Sequence, residues 1–551
     1  MTTDALTLAA ATAALALAGG AAHAHASTDS ALQAIVDQRL AGDRTGACMA
    51  VAVIDRDQVA RAFRCADPKN SARIGADSAF EIGSVSKTMT ATLLADLIVQ
   101  GKASLDDPLA DYLPEGAVAP AFEGQPILLR HVVTHTSGLP ALPSRMSTAN
   151  LADPYADLTA DDLLASLGDV TLAQAPGTRF EYSNFASMLL SYAVARRAGV
   201  DFETLLRQRL FEPLGMDTAH VARRPEGVRA AGGHAANGLP AAAWTFQTDL
   251  AGVGGVRATL DDMVHYVQGN LDPSGTPLQA AIELAQQPVS EQPPMAMNWM
   301  VVPVAGRSVL MHEGGTGGFS SFVSVDREAG RGVVILSDTS WSAVGNLGSL
   351  GLHLVDASLP LGKPRTAATP AQEVLEGLAG EYQLQGMMKV SLSQRDGKLF
   401  AQAEGQPEFE LAYDSEGDFY PTVVDALLKP QKKADGSYVF TWMQAGGAIP
   451  AARLEEGGAV PQGPVLSEAE LAGYAGEYPL MPGFALTVRA RDGKLFAQAT
   501  GQGEFALDAA GKDRFEAAAF GIEIVFKRGA DGEVTSLDLH QGGQVLSGPR
   551  G

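Results

Sequence analysis

The chain has 551 residues, of which 63 are acidic and 40 are basic, so its net charge is −23 at pH 7. This length predicts roughly three domains of about 150 residues each, and 46% hydrophobic residues are enough to build buried cores. The acidic balance argues against nucleic acid or an anionic membrane as the main partner, because both repel a negatively charged protein.

The first 26 residues have the character of a removable export signal. Residues 5–18 are almost wholly alanine, leucine and threonine, and Ala24-His25-Ala26 has the small-x-small form of a cleavage site. The segment departs from the usual pattern because it lacks lysine and arginine and carries Asp4. We expect a signal peptide at 1–26 and a periplasmic or secreted bacterial protein. The apolar run is too short to span a bilayer, and we expect no other membrane span.

Cys48 and Cys65, the two cysteines of the chain, lie in predicted strands at 47–54 and 58–65. If these strands pair antiparallel with residue 55 opposite residue 58, the cysteines face each other at a spacing that a disulfide can bridge. The turn lacks Gly and Asn, so the register stays open, and the alternative is two buried thiols that never meet. With two cysteines and no nearby histidine cluster, we expect no metal site.

The segment from Ser84 to Gln100 is predicted as a helix, because apolar residues recur at three- and four-residue steps and Gly101 is a natural stop. Ser84 and Lys87 are three residues apart and therefore share one face of this helix. If burial lowers the pKa of Lys87, its amine can take the serine proton and make Ser84 a nucleophile. The alternative is an N-cap serine followed by a solvated lysine.

Tyr182-Ser183-Asn184 lies between an apparent strand end and a predicted helix start, where side chains can point into a cleft. A tyrosine hydroxyl can relay a proton, and an asparagine amide can hold a lysine or a substrate carbonyl. The alternative is a surface tyrosine beside an N-cap asparagine.

His312-Glu313-Gly314 follows the first of three predicted strands, at 308–311, 319–326 and 332–337. A small residue at Gly314 lets a substrate backbone lie along the first strand, and the Gly315 N–H can point at a developing oxyanion. The pattern His-x-Gly is weak alone, since it recurs at residues 540–542. The counterpart of that second match in an internal repeat is Gln444-Ala445-Gly446, which assigns it to repeat structure.

The last third of the chain is a repeat that follows a proline-rich linker at 359–372. AGEY occurs at 379–382 and 475–478, and RDGKLFAQA at 395–403 and 491–499, so both pairs are offset by 96 residues. Short apolar runs alternate with Asp-Gly turns in each copy. We therefore expect two small antiparallel β-barrels, at 373–463 and 464–551.

Taken together, Ser84-x-x-Lys87, Tyr182-x-Asn184 and His312-x-Gly314 resemble the serine β-lactamase and penicillin-binding-protein superfamily, in its class C-like branch. The segment THTSGLP at 134–140 is also similar to that branch, and we assign its histidine, His135, no catalytic role. The resemblance implies an α+β fold over residues 27–358, in which both ends of the region build one antiparallel sheet with helices packed on it. With the two barrels, the layout is similar to that of D-aminopeptidases of this superfamily.

The resemblance also implies roles for the site residues. Ser84 would be the acylated nucleophile, with Lys87, alone or together with Tyr182, as the base. Tyr182 would then pass a proton to the leaving group, and Asn184 would orient Lys87 and the substrate. The backbone N–H groups of Ser84 and Gly315 would form the oxyanion hole.

His312 would stand where many relatives have a lysine, and a neutral imidazole attracts a substrate carboxylate less strongly and in a pH-dependent way. This favours substrates recognised by something other than a free C-terminus, so aminopeptidase, amidase or esterase action would suit. We expect a small peptide, amide or ester substrate, with peptides that contain D-residues as the leading class, and no cofactor. An esterase or weak β-lactamase, or a penicillin-binding protein without turnover, remains an alternative. The oligomeric state is left open.

Overall fold

The structure is a computed structural model that describes residues 28–146, 150, 152–340, 347–384, 388–424, 426–433, 436–444, 447–454, 466–481, 484–491, 493–499, 505–517, 522–529, 532–541 and 544–551. The signal peptide expected at 1–26 lies outside these residues. The chain divides into two compact units between Thr366 and Ala367, inside the segment expected to be a linker. Thr366 forms a β-bridge with Asp43 in the first unit, and Ala367 forms one with Asp414 in the second.

The first unit mixes strands and helices. Its strands are β1 (Cys48–Asp55), β2 (Gln58–Cys65), β3 (Ser78–Glu81), β4 (Ala121–Phe122), β5 (Gln125–Pro126), β6 (Arg229–Ala230), β7 (Arg257–Ala258), β8 (Ser290–Glu291), β9 (Pro294–Met295), β10 (Met300–Val304), β11 (Arg307–Gly315), β12 (Ser320–Asp326) and β13 (Arg331–Ser337). Its helices are α1 (Asp29–Leu40), α2 (Ser86–Val99), α3 (Leu129–Val133), α4 (Ala160–Gly168), α5 (Asn184–Ala198), α6 (Phe202–Leu206), α7 (Glu212–Leu214), α8 (Leu260–Leu271), α9 (Gln279–Ala285) and α10 (Leu347–Val355).

The main sheet runs in the order β2-β1-β13-β12-β11-β10-β9-β8. The two N-terminal strands therefore join strands from the end of the unit, which confirms the sheet built from both ends. The sequence left the register of β1 and β2 open. In the structure Asp55 pairs with Gln58 and Cys48 pairs with Cys65. The two sulfur atoms are joined in a disulfide bond.

The main sheet is covered on both faces, because side chains of a strand point alternately to its two sides. In β1, Ala50 and Ala52 belong to the larger apolar core, which includes α2, α5 and α8. Met49 and Val51, which alternate with them, belong to a second core with α1 and α10. Helix α2 has buried residues on all its faces from Ser86 to Leu97, as expected for a helix in the centre of a domain.

The second unit contains two copies of one strand pattern. The first copy has α11 (Gln372–Leu378) and strands β14 (Gly380–Leu384), β15 (Lys389–Arg395), β16 (Lys398–Ala403), β17 (Phe409–Tyr413), β18 (Phe419–Pro421), β19 (Ala426–Lys432), β20 (Tyr438–Gln444) and β21 (Gly447–Arg453). The second has α12 (Glu468–Ala472) and strands β22 (Gly476–Met481), β23 (Phe484–Arg491), β24 (Lys494–Ala499), β25 (Phe505–Gly511), β26 (Arg514–Ala517), β27 (Ile522–Arg528), β28 (Val534–Gln541) and β29 (Gln544–Pro549).

The first copy is a closed barrel, because β14 pairs with β21. The second copy has the same strand order in an eight-stranded sheet. Among the described residues, a backbone hydrogen bond of 2.7 Å from Gly551 N to Glu477 O joins the two ends of that sheet. Two barrels were expected. Among the described residues, strand pairing closes the barrel of the first copy.

The repeat is visible in matched contacts. The hydroxyl of Tyr382 donates to Leu378 O at 2.8 Å, and that of Tyr478 donates to Tyr474 O at 2.7 Å, so both contacts keep the offset of 96. A bulge opposite Lys527 and Arg528 adds one residue near the start of β28 in the second copy. His540 therefore corresponds to Met443, not to Gln444 as the ungapped repeat indicated.

The helices of the described part of the chain are short or carry polar residues. None of the helices there is both long enough and apolar enough to do so.

Candidate active site

Ser84 lies in a 3₁₀ turn, Gly83–Val85, that leads directly into α2. It does not cap the helix, because the residue at the cap position of α2 is Val85 and no side chain caps it. The Ser84 hydroxyl instead lies 2.8 Å from the Lys87 amine. The predicted helix therefore begins with one tighter turn, which leaves the serine oxygen available for chemistry.

Lys87 is fully buried. Its Nζ donates to the carbonyl of Val253 at 2.7 Å and lies against Ser84 Oγ. Desolvation by burial lowers the pKa of this ammonium well below its ordinary value. A neutral amine that donates one N–H to Val253 keeps a lone pair that can accept the Ser84 proton.

Tyr182 lies at the end of an irregular segment, where the sequence indicated the end of a strand. Its ring centroid is 5.0 Å from Lys87 Nζ, and it stacks on His135 at 4.2 Å between ring centroids. Burial raises the pKa of Tyr182 to about 12, with a smaller opposing effect from hydrogen bonding to Ser84. Tyr182 is therefore a neutral phenol at physiological pH.

His135 positions the tyrosine segment. Its Nδ1 accepts the Ser183 N–H at 3.2 Å, and its backbone carbonyl accepts the Glu181 N–H at 2.7 Å. Burial, together with the nearby Lys87, lowers the pKa of His135 well below its ordinary value. These contacts fit the structural role expected for the segment 134–140.

Asn184 is the first residue of α5, and Ser183 caps that helix by accepting the Ala186 N–H. The Asn184 Nδ2 donates to the Tyr155 hydroxyl at 3.5 Å, whereas the described bonds of the Lys87 amine go to Ser84 and Val253. In the described structure the carbonyl of Val253 therefore holds the Lys87 amine, and the described bond of the Asn184 amide goes to Tyr155.

His312 is buried on β11 and donates its Nδ1–H to the carbonyl of Glu313 at 2.6 Å. Burial, together with Lys87, lowers the pKa of His312 to about 3. Its imidazole is therefore neutral from about pH 4 upward. The pH-dependent attraction to a carboxylate, expected from the sequence, thus lies below the physiological range.

Glycines bring β11 against the serine turn. A Cβ on Gly314 would lie 2.1 Å from Ile82 O, and a Cβ on Gly83 would lie 2.6 Å from Gly315 N. Gly83 also has a φ of +50°, which favours glycine. The Gly314 side of the strand thus faces the turn that carries Ser84, and the Gly315 N–H lies beside that turn.

A small, open cleft of about 30 Å³ lies over Ser84. It is lined by Ser84, Tyr155, Asn184, Trp244, Phe246, Val253, Gly254, Gly315 and Thr316. Tyr155, Trp244 and Phe246 were missed from the sequence because they lie in segments without helix or strand periodicity. The one signal for them was a pair of aromatic residues in an alanine-rich loop, AAAWTFQ at 241–247.

Comparison with known families identifies two regions. A family model described as Beta-lactamase matches residues 32–345, and one described as Domain of unknown function (DUF3471) matches residues 460–548. The D-alanyl-D-alanine-carboxypeptidase/endopeptidase AmpH of Escherichia coli strain K12 is 34% identical over 226 residues, which are 40% of this chain and 56% of that protein. Esterase EstB of Burkholderia gladioli is 30% identical over 212 residues, 36% of this chain and 54% of that protein.

The chain thus spans just over half the length of these two relatives. Among solved structures, a beta-lactamase/D-alanine carboxypeptidase from Yersinia pestis complexed with citrate has 27% identity and a TM-score of 0.49, covering 59% of this chain and 98% of that one. The Beta-lactamase match covers more than half of this chain, and the protein therefore belongs to the β-lactamase family of serine hydrolases.

Proposed function

We propose that this protein hydrolyses amide or peptide bonds through an acyl-enzyme on Ser84. The observation that carries the proposal is the Lys87 amine, which is fully buried and lies 2.8 Å from Ser84 Oγ. Burial lowers the pKa of Lys87, so the amine acts as the general base that takes the serine proton. Because burial raises the pKa of Tyr182 to about 12, its phenol relays a proton and is not the primary base.

In the proposed reaction, Ser84 Oγ attacks the scissile carbonyl carbon while Lys87 takes the hydroxyl proton. The carbon–nitrogen bond then breaks, and the proton held by Lys87 passes through Tyr182 to the leaving nitrogen. Water attacks the resulting ester as Lys87 takes a proton from it. That proton returns to Ser84 Oγ as the acyl–oxygen bond breaks, which releases the carboxylic acid and regenerates Ser84. The N–H groups of Ser84 and Gly315 would stabilise the oxyanion, and one such donor is typically worth about 3–4 kcal/mol.

We propose peptides that contain D-residues as the substrate class. The name of the AmpH relative, a D-alanyl-D-alanine-carboxypeptidase/endopeptidase, supports this class. A second candidate is ester hydrolysis by the same residues. It is favoured by the neutral His312, which gives a substrate carboxylate no fixed cation, and by the likeness to an esterase.

The test is a panel of substrates with the full chain and its Ser84→Ala variant. The panel contains D- and L-alanine p-nitroanilide, N-acetyl-D-alanine p-nitroanilide, p-nitrophenyl acetate and a cephalosporin. We expect turnover that falls by at least about a thousandfold in Ser84→Ala. Activity that survives the substitution would reject Ser84 as the nucleophile, whereas stable penicillin labelling without turnover would favour a penicillin-binding protein.

We also propose that the protein is exported. The Cys48–Cys65 disulfide supports export, because such bonds persist mainly in oxidising compartments, and so does the signal-like sequence at 1–26. The N-terminus of the protein recovered from the periplasm or medium tests this proposal, which predicts a mature chain that starts near residue 27.

A further inference from the structure

One wall of the cleft over Ser84 is aromatic. Tyr155 stacks on Phe246 with ring centroids 4.8 Å apart, and it contacts Trp244 at 5.3 Å between centroids. All three side chains line the cleft together with Ser84. We call these three residues the aromatic wall. A wall of this kind gives area to a planar or apolar group and favours it through stacking.

The two loops that carry the aromatic wall are clamped to each other. Asp153, two residues before Tyr155, accepts the Thr245 N–H at 2.8 Å and the Thr245 hydroxyl at 2.5 Å. Gln247 Oε1 accepts the Ala160 N–H at 2.6 Å. Thr245 and Gln247 flank Phe246 directly, so these bonds fix the wall before a substrate binds.

The lining of the cleft contains no charged side chain among the residues that the structure describes. Beneath the lining, burial lowers the pKa of His312 to about 3, so its imidazole is neutral, and burial lowers the pKa of Lys87 well below its ordinary value. Glu81 accepts the backbone N–H of Trp244, but its side chain is buried and paired with Arg257 at 3.1 Å. Among the described residues that line the cleft, a substrate ammonium meets no carboxylate and a substrate carboxylate meets no charged side chain.

Charge next to the scissile bond is therefore disfavoured, because it finds no partner of opposite charge in the described lining and loses part of its hydration when the substrate binds. We propose, on the basis of the proposed function, that the cleft selects substrates with two properties. They are uncharged beside the scissile carbonyl, and they place an apolar or aromatic group on the aromatic wall. Blocked peptides, endopeptide bonds and neutral esters have this chemistry. A free N-terminal amine next to the scissile bond does not.

The first test compares N-acetyl-D-alanine p-nitroanilide with D-alanine p-nitroanilide, using the full chain at pH 6.5 and pH 9. We expect kcat/KM for the blocked substrate to exceed that for the free amine by at least about tenfold at pH 6.5, where an α-amino group with a pKa of about 7.7–8.0 is charged. The ratio should shrink at pH 9, where the amine is neutral. A free amine preferred at pH 6.5 overturns the inference.

The second test compares p-nitrophenyl phenylacetate with p-nitrophenyl acetate. Phe246→Ala is expected to lower the phenylacetyl preference by about tenfold, because it removes part of the stacking surface. Phe122→Ala is the matched control, since Phe122 is a partly buried phenylalanine of β4 outside the cleft lining. A preference unchanged in Phe246→Ala overturns the role of the wall.

A third variant tests the charge argument by adding the missing partner. Phe246→Asp is expected to raise kcat/KM for D-alanine p-nitroanilide relative to the acetylated substrate at pH 6.5. Failure of the inference differs from failure of the proposed function. If only the inference fails, turnover still depends on Ser84 but shows another substrate preference. If the proposed function fails, there is no turnover and mass spectrometry finds no acyl group on Ser84, and the inference fails with it.

Discussion

Lys87 has no exposed surface, and its amine contacts one hydroxyl and one carbonyl oxygen. Burial lowers the pKa of this ammonium in the folded protein well below its ordinary value, whereas the unfolded chain binds a proton there below about pH 10.4. Between the lowered folded pKa and about pH 10.4, the unfolded state binds more protons. The contribution of Lys87 to stability consequently rises with pH across that window and falls as the pH is lowered through it.

Lys87→Met tests this linkage together with catalysis. We expect kcat to fall by about 10²–10⁴-fold, the usual contribution of a general base. Relative to this variant, the free energy of unfolding of the native sequence should rise by up to about 1.4 kcal/mol per pH unit in the window. Urea denaturation at pH 7.5, 8.5 and 9.5 measures it, with Lys102→Met at an exposed position as control. A pH-independent difference would mean that Lys87 is charged in the folded protein.

Individual residues show where sequence reasoning ends. The spacing of Ser84 and Lys87 was visible in the sequence, and their contact follows from one turn of local structure. The stack of Tyr182 on His135 joins residues 47 positions apart, and the Lys87 bond to Val253 joins residues 166 positions apart. Such partners depend on tertiary packing, which no local pattern encodes.

At the scale of elements, the contact between β11 and the turn before α2 depends on Gly314. A side chain there would also lie 2.4 Å from Ser321 Oγ, which donates to Ile82 O at 2.7 Å. The strand can therefore approach the serine turn because glycine leaves that space empty. The sequence suggested that the small residue makes room for substrate, whereas the structure shows that it makes room for the Ile82 carbonyl.

Gly314→Ala is expected to push β11 away from the turn. Overpacking of this kind typically lowers the free energy of unfolding by about 1–3 kcal/mol, and kcat should fall because the Gly315 N–H moves relative to Ser84. Thermal denaturation and kcat on p-nitrophenyl acetate measure the two effects. Gly168→Ala in α4 is the matched control, since a Cβ there meets no atom within 4 Å. Equal stability and activity in both variants would contradict the close approach.

Elements with strong periodicity were predicted closely, and elements without it were not. The strand expected at 58–65 is β2 within the same bounds, and that at 332–337 lengthens by one residue to β13. In both strands, successive side chains face the two apolar cores in turn. The aromatic wall lies on loops whose course is set by Asp153 and Gln247, and a loop held by single side chains leaves no periodic trace in the sequence.

At the scale of the whole molecule, the repeat and the linker predicted a catalytic region followed by two similar small domains. The constant offset of 96 residues indicated two copies of one fold. Tyr382 and Tyr478 make the same hydrogen bond in the two copies. The closure of each sheet could not be read from the repeat, because similarity between two copies does not show whether the first and last strands pair. That pairing is described for the first copy.

Every residue of the candidate site lies between Ser84 and Thr316, and both apolar cores of the first unit are built from residues before Thr366. A domain with its own core can fold alone. A chain that spans residues 28–366 is therefore expected to fold and to keep kcat/KM on p-nitrophenyl acetate within about threefold of the full chain. Its own Ser84→Ala variant is the control for background hydrolysis.

The measurement pairs kcat/KM with near-ultraviolet circular dichroism, so that folding and catalysis are read separately. A truncated chain with a cooperative unfolding transition but activity lower by more than about a hundredfold, some 2.7 kcal/mol, would show that residues 367–551 are needed for catalysis. In that case the two repeat copies take part in the reaction that Ser84 performs. Retained activity would instead mean that the first unit is a complete catalyst, which leaves the repeat copies to a role separable from the chemistry.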